Sequence, residues 1–158
     1  MDNNKNSVQW EVKTFQQLTV EQLFESLQLR VDVFVVEQQC SYRELDEYDR
    51  NQETRHLFGR NEDSQLIAYA RILPPGFRHP EVNLGRFVVR ADSRKQGIGH
   101  QLLQTALQEI SGCWPQTSIR ISAQEYLQEF YGQYGFVRVS GMYLEDGIPH
   151  VEMVKESG

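Results

Sequence analysis

Apolar residues recur along nearly the whole chain with two spacings, one typical of β-strands and one of α-helices. The first segment, residues 8–14, alternates apolar and polar side chains and predicts a strand. Thr19 is a candidate N-cap with Gln22 three residues later, a spacing that predicts a capping box at the start of a helix. Apolar residues at helical spacing continue into the cluster at 33–36, so we place the end of this helix near Glu37.

The middle of the chain predicts three strands after a long polar loop. Residues 38–53 are polar and acidic and show neither spacing, which predicts a long ordered loop with room for a short helical turn. Residues 54–60 and 65–73 are strand-like and are joined by Asn-Glu-Asp-Ser, a good hairpin connection. Residues 82–89 form another apolar run, interrupted by Gly85, where we expect a kink or the close approach of another group.

The C-terminal half returns to an alternation of helix and strand. Apolar residues at helical spacing between Ile98 and Ile110 predict an amphipathic helix, which Gly112 and Pro115 end. The remaining segments are a strand at 118–123, a short helix at 124–134, and strands at 136–144 and 148–155. The predicted order is β-α-β-β-β-α-β-α-β-β, which is typical of a mixed α/β domain.

Length and composition favour one ordinary globular domain. With 158 residues, 39% of them hydrophobic, the chain can bury one core, so we predict a single domain over 1–158 with an ordered core at about 8–155. Disorder is expected only at residues 1–7 and at the last few positions. No apolar run reaches the roughly 18 residues of a membrane span and the N-terminus lacks an apolar signal core, so we expect a cytoplasmic protein without a membrane partner.

Charge and cysteine content exclude several further classes. A net charge of −6 leaves no basic surplus for a phosphate backbone, so we expect no nucleic-acid partner. Cys40 and Cys113 lie far apart and have no neighbouring metal-ligand pattern, which predicts reduced thiols and no metal site. Arg71 and Arg86 fall on predicted strands, where most arginines pair with carboxylates.

The segment R-K-Q-G-I-G-H, residues 94–100, carries the strongest chemical signal. It lies between a predicted buried strand and the start of the amphipathic helix. Gly97 and Gly99 let a ligand approach the backbone, and the first N–H groups of the helix have no intrahelical acceptor. Arg94 and Lys95 add positive charge suited to a diphosphate. The segment therefore predicts an anion-binding site; a glycine-rich turn without a ligand is the alternative.

Glycine spacing separates this segment from two common phosphate-binding motifs. It is neither G-x-x-x-x-G-K-[S/T] nor G-x-G-x-x-G. Instead, R-K-Q-G-I-G resembles the [R/Q]-x-x-G-x-[G/A] coenzyme-A pyrophosphate loop of the GNAT superfamily. Downstream, F-Y-G-Q-Y-G-F at 130–136 resembles the F-Y-x-x-x-G-F signature of the same superfamily. Together with F-V-V-E-Q, T-R-H, A-Y-A-R-I-L and E-D-G-I-P-H, these motifs resemble the ElaA-like branch over roughly residues 8–155.

This resemblance implies both a fold and a reaction. The expected fold is α/β (α+β), with a mixed, mostly antiparallel central sheet of about seven strands, splayed between the fourth and fifth strands and flanked by helices. The implied reaction moves an acetyl group from acetyl-CoA, the co-substrate, to a primary amine of a small molecule or peptide by direct attack in a ternary complex, without a metal. Pantetheine would pair with the fourth strand, whose backbone donors would form an oxyanion hole at the thioester carbonyl. The residues that the resemblance assigns to acetyl-CoA are Phe87, Val88 and Val89 at the pantetheine and thioester, and Arg94, Lys95, Gln96, Gly97, Ile98, Gly99 and His100 at the diphosphate.

Catalytic roles follow only in part from the resemblance. Tyr131 corresponds to the family tyrosine that donates a proton to the departing thiolate. An aromatic core role for Tyr131 is the alternative, and Tyr134 is a second candidate donor. Residues 43–53 form either a solvated acidic loop or a surface that attracts an amine. The general base stays open among six candidates, which are Glu37, Glu44, Asp46, His56, His150 and Glu152.

Two other functions compete with the enzyme. One is a coenzyme-A-binding regulatory module without catalysis, and the other is a scaffold in which the glycine turn is only structural. The sequence identifies neither the amine acceptor nor the acyl-chain preference. It is compatible with a homodimer, but no feature of it predicts one.

Overall fold

The computed structural model describes residues 7–157. The disorder expected at the chain ends falls mainly on residues 1–6 and 158, which lie outside the described residues. Within residues 7–157, three α-helices flank one eight-stranded sheet. The helices are α1 (Val20–Arg30), α2 (Ile98–Cys113) and α3 (Gln128–Gly132). The strands are β1 (Gln9–Lys13), β2 (Arg55–Arg60), β3 (Leu66–Leu73), β4 (Val82–Val89), β5 (Ile119–Gln124), β6 (Val137–Arg138), β7 (Tyr143–Glu145) and β8 (Ile148–Lys155).

The sheet has the order β1-β2-β3-β4-β5-β8-β6, and β7 also pairs with β8. Neighbouring strands are antiparallel except β4 and β5, which are parallel. The expected mixed, mostly antiparallel sheet is therefore confirmed, with eight strands in place of about seven.

The additional strand arises because the single strand predicted at 136–144 was wrong. The structure divides this segment into β6 and β7, both paired to β8. Between them, the Ser140 hydroxyl accepts the backbone N–H of Glu152 at 2.9 Å. A side chain thus replaces a backbone acceptor in the ladder, which interrupts regular pairing.

β4 and β5 diverge soon after they begin. Their pairing is limited to Val82 with Ile119 and Asn83 with Arg120. β5 then continues against β8, whereas β4 continues against β3 alone. This divergence is the splay expected between the fourth and fifth strands, and it leaves the edge of β4 that faces β5 without a strand partner beyond Asn83.

A bulge bends β4 at the point where it leaves β5. Tyr69 pairs with Val88 and Arg71 with Gly85, so β4 has one more residue than β3 between these pairs. Arg86, inside the bulge, has a φ of 48°. The kink predicted near Gly85 is therefore confirmed.

α1 begins at the predicted cap, and the helical structure that continues from it ends at Glu37, as predicted. Thr19 Oγ1 accepts the N–H of Gln22 at 3.0 Å, and the Gln22 side chain accepts the N–H of Thr19 at 3.0 Å. The helix continues as a π-helical segment, Val31–Glu37. The loop that follows contains the expected helical turn, a 3₁₀ segment at Glu47–Arg50.

Helices cover both faces of the sheet. Every residue of β3 is buried, as expected for a central strand with a helix on each side. On one face, α2 packs Leu102 and Leu103 into the main core. On the other face, α1 packs Leu29 against Phe58 and Tyr69. The two layers hold the splayed strands in place.

Neither a membrane-spanning helix nor a disulfide is found in residues 7–157. No helix there is long and apolar enough to cross a bilayer. Cys40 is buried, Cys113 is exposed, and both are free thiols. No group of three or more His, Cys, Asp or Glu side chains in this part of the chain is arranged to hold a metal ion.

Candidate active site

A cleft of about 1200 Å³ opens where β4 and β5 diverge. One wall comes from β4 and the loop after α1, and the other from β5, α3, β7 and β8. The predicted pantetheine residues at 87–89 line it, together with Arg94 and Gly99. The remaining predicted diphosphate residues lie beside this lining and are Lys95, Gln96, Gly97, Ile98 and His100. The cleft has the volume needed for an extended ligand.

The start of α2 and the loop before it form a cradle of free backbone donors, residues 94–100. None of the N–H groups in this segment has an acceptor among residues 7–157. Lys95 has a φ of 64° and Gly97 a φ of 78°, and such left-handed residues turn successive N–H groups toward a common point. Ile98 is buried and anchors the helix start, while the rest of the cradle faces water. This geometry is suited to binding an anion.

The two cationic side chains of the cradle, Arg94 and Lys95, differ in their pairing. The Arg94 guanidinium donates to both carboxylate oxygens of Glu37, at 2.6 and 2.9 Å, and its Nε donates to the Val89 carbonyl. The hydrogen bond from Arg94 lowers the pKa of Glu37. Lys95 has no hydrogen-bond or ion-pair partner in the described part of the chain. Lys95 is therefore the free cation of the cradle in this structure.

Tyr131 lies on α3 and faces the cleft. Its ring is buried against Phe87, at 5.9 Å between centroids, and against Phe136. Burial raises the pKa of Tyr131, so the phenol stays protonated at neutral pH. Tyr134, the other candidate donor, does not line the cleft, and its hydroxyl bonds His100 Nδ1 at 2.7 Å. Of the two tyrosines, the structure brings Tyr131 to the cleft.

The structure separates the base candidates into two groups. Four line the cleft, which are Glu37, Asp46, His150 and Glu152. The other two, Glu44 and His56, lie outside it.

His56 is buried beneath the loop that follows α1. Its Nε2–H donates to the Asp49 carbonyl at 2.9 Å, which leaves Nδ1 to accept the Tyr69 hydroxyl at 2.6 Å. Burial lowers the pKa of His56 from its ordinary 6.5 to about 4. His56 is therefore a neutral structural histidine in this arrangement.

A buried arginine–carboxylate cluster holds the same loop on the sheet. Arg30 donates to Glu44 at 2.7 Å and to Asp49 at 2.8 Å, while Arg71 donates to Asp46 at 2.7 Å and to Asp49 at 3.0 Å. Burial opposes the charge of Asp49, but the hydrogen bonds and charges of the two arginines outweigh it and lower the pKa of Asp49 to about 2. The cluster therefore fixes the loop by charge-assisted hydrogen bonds.

This cluster positions one wall of the cleft. Arg86, in the β4 bulge, lies 2.9 Å from Glu44 and also faces the cleft, which confirms the expectation that Arg71 and Arg86 pair with carboxylates. From the loop, six residues line the cleft, which are Gln38, Cys40, Tyr42, Arg43, Asp46 and Tyr48. Sequence reasoning missed the cluster, although Arg30 lies on the same helical face as Ser26 and Val33, a signal that it is buried.

The opposite wall is a polar face shared by β5, β7 and β8. The Ser122 and Tyr143 hydroxyls bond to each other. His150 lies between two acceptors, with Nε2 at 3.2 Å from Glu145 and Nδ1 at 2.7 Å from the Ile148 carbonyl. A carboxylate, that of Glu152, completes this wall.

A family model described as "Acetyltransferase (GNAT) domain" matches residues 13–157. The chain belongs to the GNAT acetyltransferase family. The family model covers nearly all of the described residues, so the splay, the cradle and the polar wall all lie within the matched region. By family, the chain is an acyl-CoA N-acyltransferase.

Relatives agree with the ElaA-like resemblance within the GNAT family. The protein ElaA of Escherichia coli (strain K12) is 40% identical over 149 residues, which cover 94% of this chain and 97% of ElaA. The crystal structure of E. coli ElaA matches with a TM-score of 0.89 and covers 95% of this chain and 100% of that one, at 39% identity. The crystal structure of an acyl-CoA N-acyltransferase from Pseudomonas aeruginosa matches with a TM-score of 0.90 at 45% identity, covering 94% of this chain and 99% of that one.

Proposed function

We propose that this chain transfers an acetyl group from acetyl-CoA to a primary amine by direct attack in a ternary complex. The observation that carries the proposal is the run of free N–H groups at 94–100, which continues from the unpaired edge of β4. The free N–H groups suit a diphosphate, and the unpaired strand edge beside them suits the extended amide chain attached to it. GNAT membership supports acyl-CoA as the donor.

Acetyl-CoA binding is assigned to three parts of the chain. The cradle N–H groups and the Lys95 ammonium bind the diphosphate. The free backbone of β4 at 87–89 pairs with the amides of pantetheine in the manner of an added strand. The bulge at Arg86 interrupts the regular β4 backbone on the cleft lining, and to this stretch we assign the backbone donor that stabilises the oxyanion at the thioester carbonyl.

The proposed transfer exchanges one bond for another. The neutral amine nitrogen attacks the thioester carbon, and the tetrahedral intermediate then releases the thiolate as the carbon–sulfur bond breaks. Tyr131 donates its phenolic proton to that sulfur, a role supported by its place on the lining and by its fully protonated state at neutral pH. The proton lost by the amine passes to a base on the cleft wall.

The test is turnover of acetyl-CoA with a panel of primary amines that includes amino acids, polyamines and peptides. Thiol release is followed with a chromogenic disulfide, and the acetylated amine is identified by mass spectrometry. We expect amine-dependent thiol release from at least one member of the panel. Tight binding of acetyl-CoA with no amine-dependent release from any panel member would contradict transfer and favour a coenzyme-A-binding regulatory module.

A further inference from the structure

One carboxylate oxygen on the polar wall is buried without a hydrogen-bond partner. Glu152 lines the cleft from β8, and its Oε2 is shielded from water and accepts no hydrogen bond from any residue in 7–157. A buried carboxylate oxygen without a donor is costly, because the charge loses its hydration and gains nothing in return. A cationic group that enters the cleft would supply the missing donor.

Neighbouring cations do not supply that donor. Arg120 is the nearest, with its NH1 at 4.0 Å from Glu152 Oε2. Its guanidinium is already directed to Glu81, at 3.2 and 3.3 Å. His150, two residues away on β8, is held by Glu145 and the Ile148 carbonyl.

The other acidic candidates on the lining are already paired. Glu37 is bound by both nitrogens of the Arg94 fork. Asp46 receives two hydrogen bonds from Arg71. The Tyr143 hydroxyl, which bonds Ser122, also lies beside the Glu152 carboxylate. Glu152 is nevertheless the acidic base candidate on the lining that has a buried oxygen without a hydrogen-bond donor among residues 7–157.

Strand register places Glu152 near the closed end of the splay. It pairs with Ser122, which lies two residues beyond the last β5 residue that pairs with β4. On the other side of the splay, the bulge residue Arg86 lies three residues beyond Asn83, the last β4 residue that pairs with β5. The free carboxylate oxygen and the proposed thioester site thus occupy facing walls of the same opening.

We infer that Glu152, together with Ser122 across the strand pair, forms a subsite for the ammonium group of the acceptor. In this subsite Glu152 Oε2 accepts a hydrogen bond from the ammonium and then takes its proton, which leaves the neutral amine that attacks the thioester carbon. One N–H bond breaks and one O–H bond forms, and no further reactant is needed. The inference rests on the proposed function and adds to it the residue that binds the cationic acceptor.

Short aminoalkyl thioethers of coenzyme A, from aminoethyl to aminobutyl, test this subsite without knowledge of the natural acceptor. Each carries an ammonium beyond the sulfur, and an S-alkyl thioether of equal length is its neutral counterpart. Calorimetry gives the affinity ratio of each pair. For wild type, we expect the best-fitting ammonium arm to bind at least about tenfold more tightly than its neutral counterpart.

Three variants connect that ratio to Glu152. Glu152→Gln is expected to lower the ratio of ammonium to neutral thioether affinity to about one, while the affinity for the neutral thioether is unchanged. Glu156→Gln removes a carboxylate that bonds Ser118 outside the cleft and should leave the ratio unchanged. Ser122→Lys keeps Glu152 but places an ammonium opposite it, so it should also abolish the ratio, and it serves as a second test should Glu152→Gln not fold.

The results that would contradict the subsite differ from those that would contradict the proposed function. A ratio that survives in folded Glu152→Gln or Ser122→Lys would overturn the subsite, as would a wild type that binds every neutral thioether but prefers no ammonium arm. If wild type bound neither acetyl-CoA nor any thioether, the proposed function would fall and the subsite with it.

Discussion

The guanidinium of Arg94 donates two hydrogen bonds to the carboxylate of Glu37, at 2.6 and 2.9 Å. This ion pair joins the end of the π-helical segment to the first residue of the cradle. The side chain that the motif assigns to a diphosphate is therefore held by a carboxylate. A diphosphate bound as we propose would compete with Glu37 for Arg94.

Glu37→Gln should consequently strengthen acetyl-CoA binding. Both side chains of the pair are partly exposed, and such pairs contribute up to about 1 kcal/mol, so we expect affinity to rise about two- to fivefold at low salt. Asp92→Asn is the matched control, because it also removes one negative charge near the cradle but releases Arg90. Unchanged or weaker binding in Glu37→Gln, measured by calorimetry, would show that Arg94 does not take part.

Tyr131→Phe should slow transfer while leaving acetyl-CoA binding intact. Loss of the phenolic proton donor is expected to lower kcat by about 100-fold, with little change in the KM for acetyl-CoA. Tyr134→Phe is the control, since its hydroxyl bonds His100 away from the cleft. Steady-state rates with the best amine of the panel measure both variants, and equal losses in the two would refute a specific role for Tyr131.

Arg30→Gln should destabilise the fold far more than Arg50→Gln. Arg30 is buried between Glu44 and Asp49, and removal of one partner from a buried ion pair costs about 3–5 kcal/mol. Arg50 forms an exposed pair with Glu47, which contributes less than about 1 kcal/mol. Urea unfolding at neutral pH gives both values. Similar losses in the two variants would mean that the buried cluster adds little to stability.

The buried, neutral His56 predicts a loss of stability in mild acid. Its pKa is about 4 in the folded protein and about 6.5 when the chain is unfolded, so between these pH values the unfolded state binds more protons. The free energy of unfolding should therefore fall by about 3 kcal/mol as the pH drops from 6.5 to 4. His56→Gln should be less stable at pH 7 but should lose this part of the slope. An unchanged slope in His56→Gln, measured by urea unfolding at several pH values, would contradict the assignment.

Local signals in the sequence predicted much of this fold. The Thr19 cap, the kink at Gly85 and the glycine turn before α2 each depend on residues within a few positions of one another, so their spacing is visible in one dimension. The splay between β4 and β5 was predicted from the family resemblance instead, because no local sequence pattern indicates where two strands diverge.

Long-range pairing explains what the sequence did not predict. Arg30 and Asp49 are 19 positions apart, and only the folded loop brings them together. The six base candidates are distinguished in the same way, because the sequence does not show which of them are paired. Glu152 differs from Glu37 and Asp46 only through its neighbours in space. The break between β6 and β7 likewise depends on the Ser140 side chain reaching the β8 backbone.

Calorimetric titration of acetyl-CoA into wild type and Gly99→Glu tests the central claim most directly. A Cβ at Gly99 would meet Phe130 at 3.8 Å, an ordinary contact, so Gly99→Glu should fold while placing a negative charge in the cradle. Gly112→Glu adds the same charge near the far end of α2, where a Cβ meets nothing within 4 Å. The account predicts that wild type and Gly112→Glu bind acetyl-CoA and that Gly99→Glu binds at least about tenfold more weakly. Equal binding by all three folded proteins, or none by wild type, would contradict the assignment of residues 94–100 to the diphosphate.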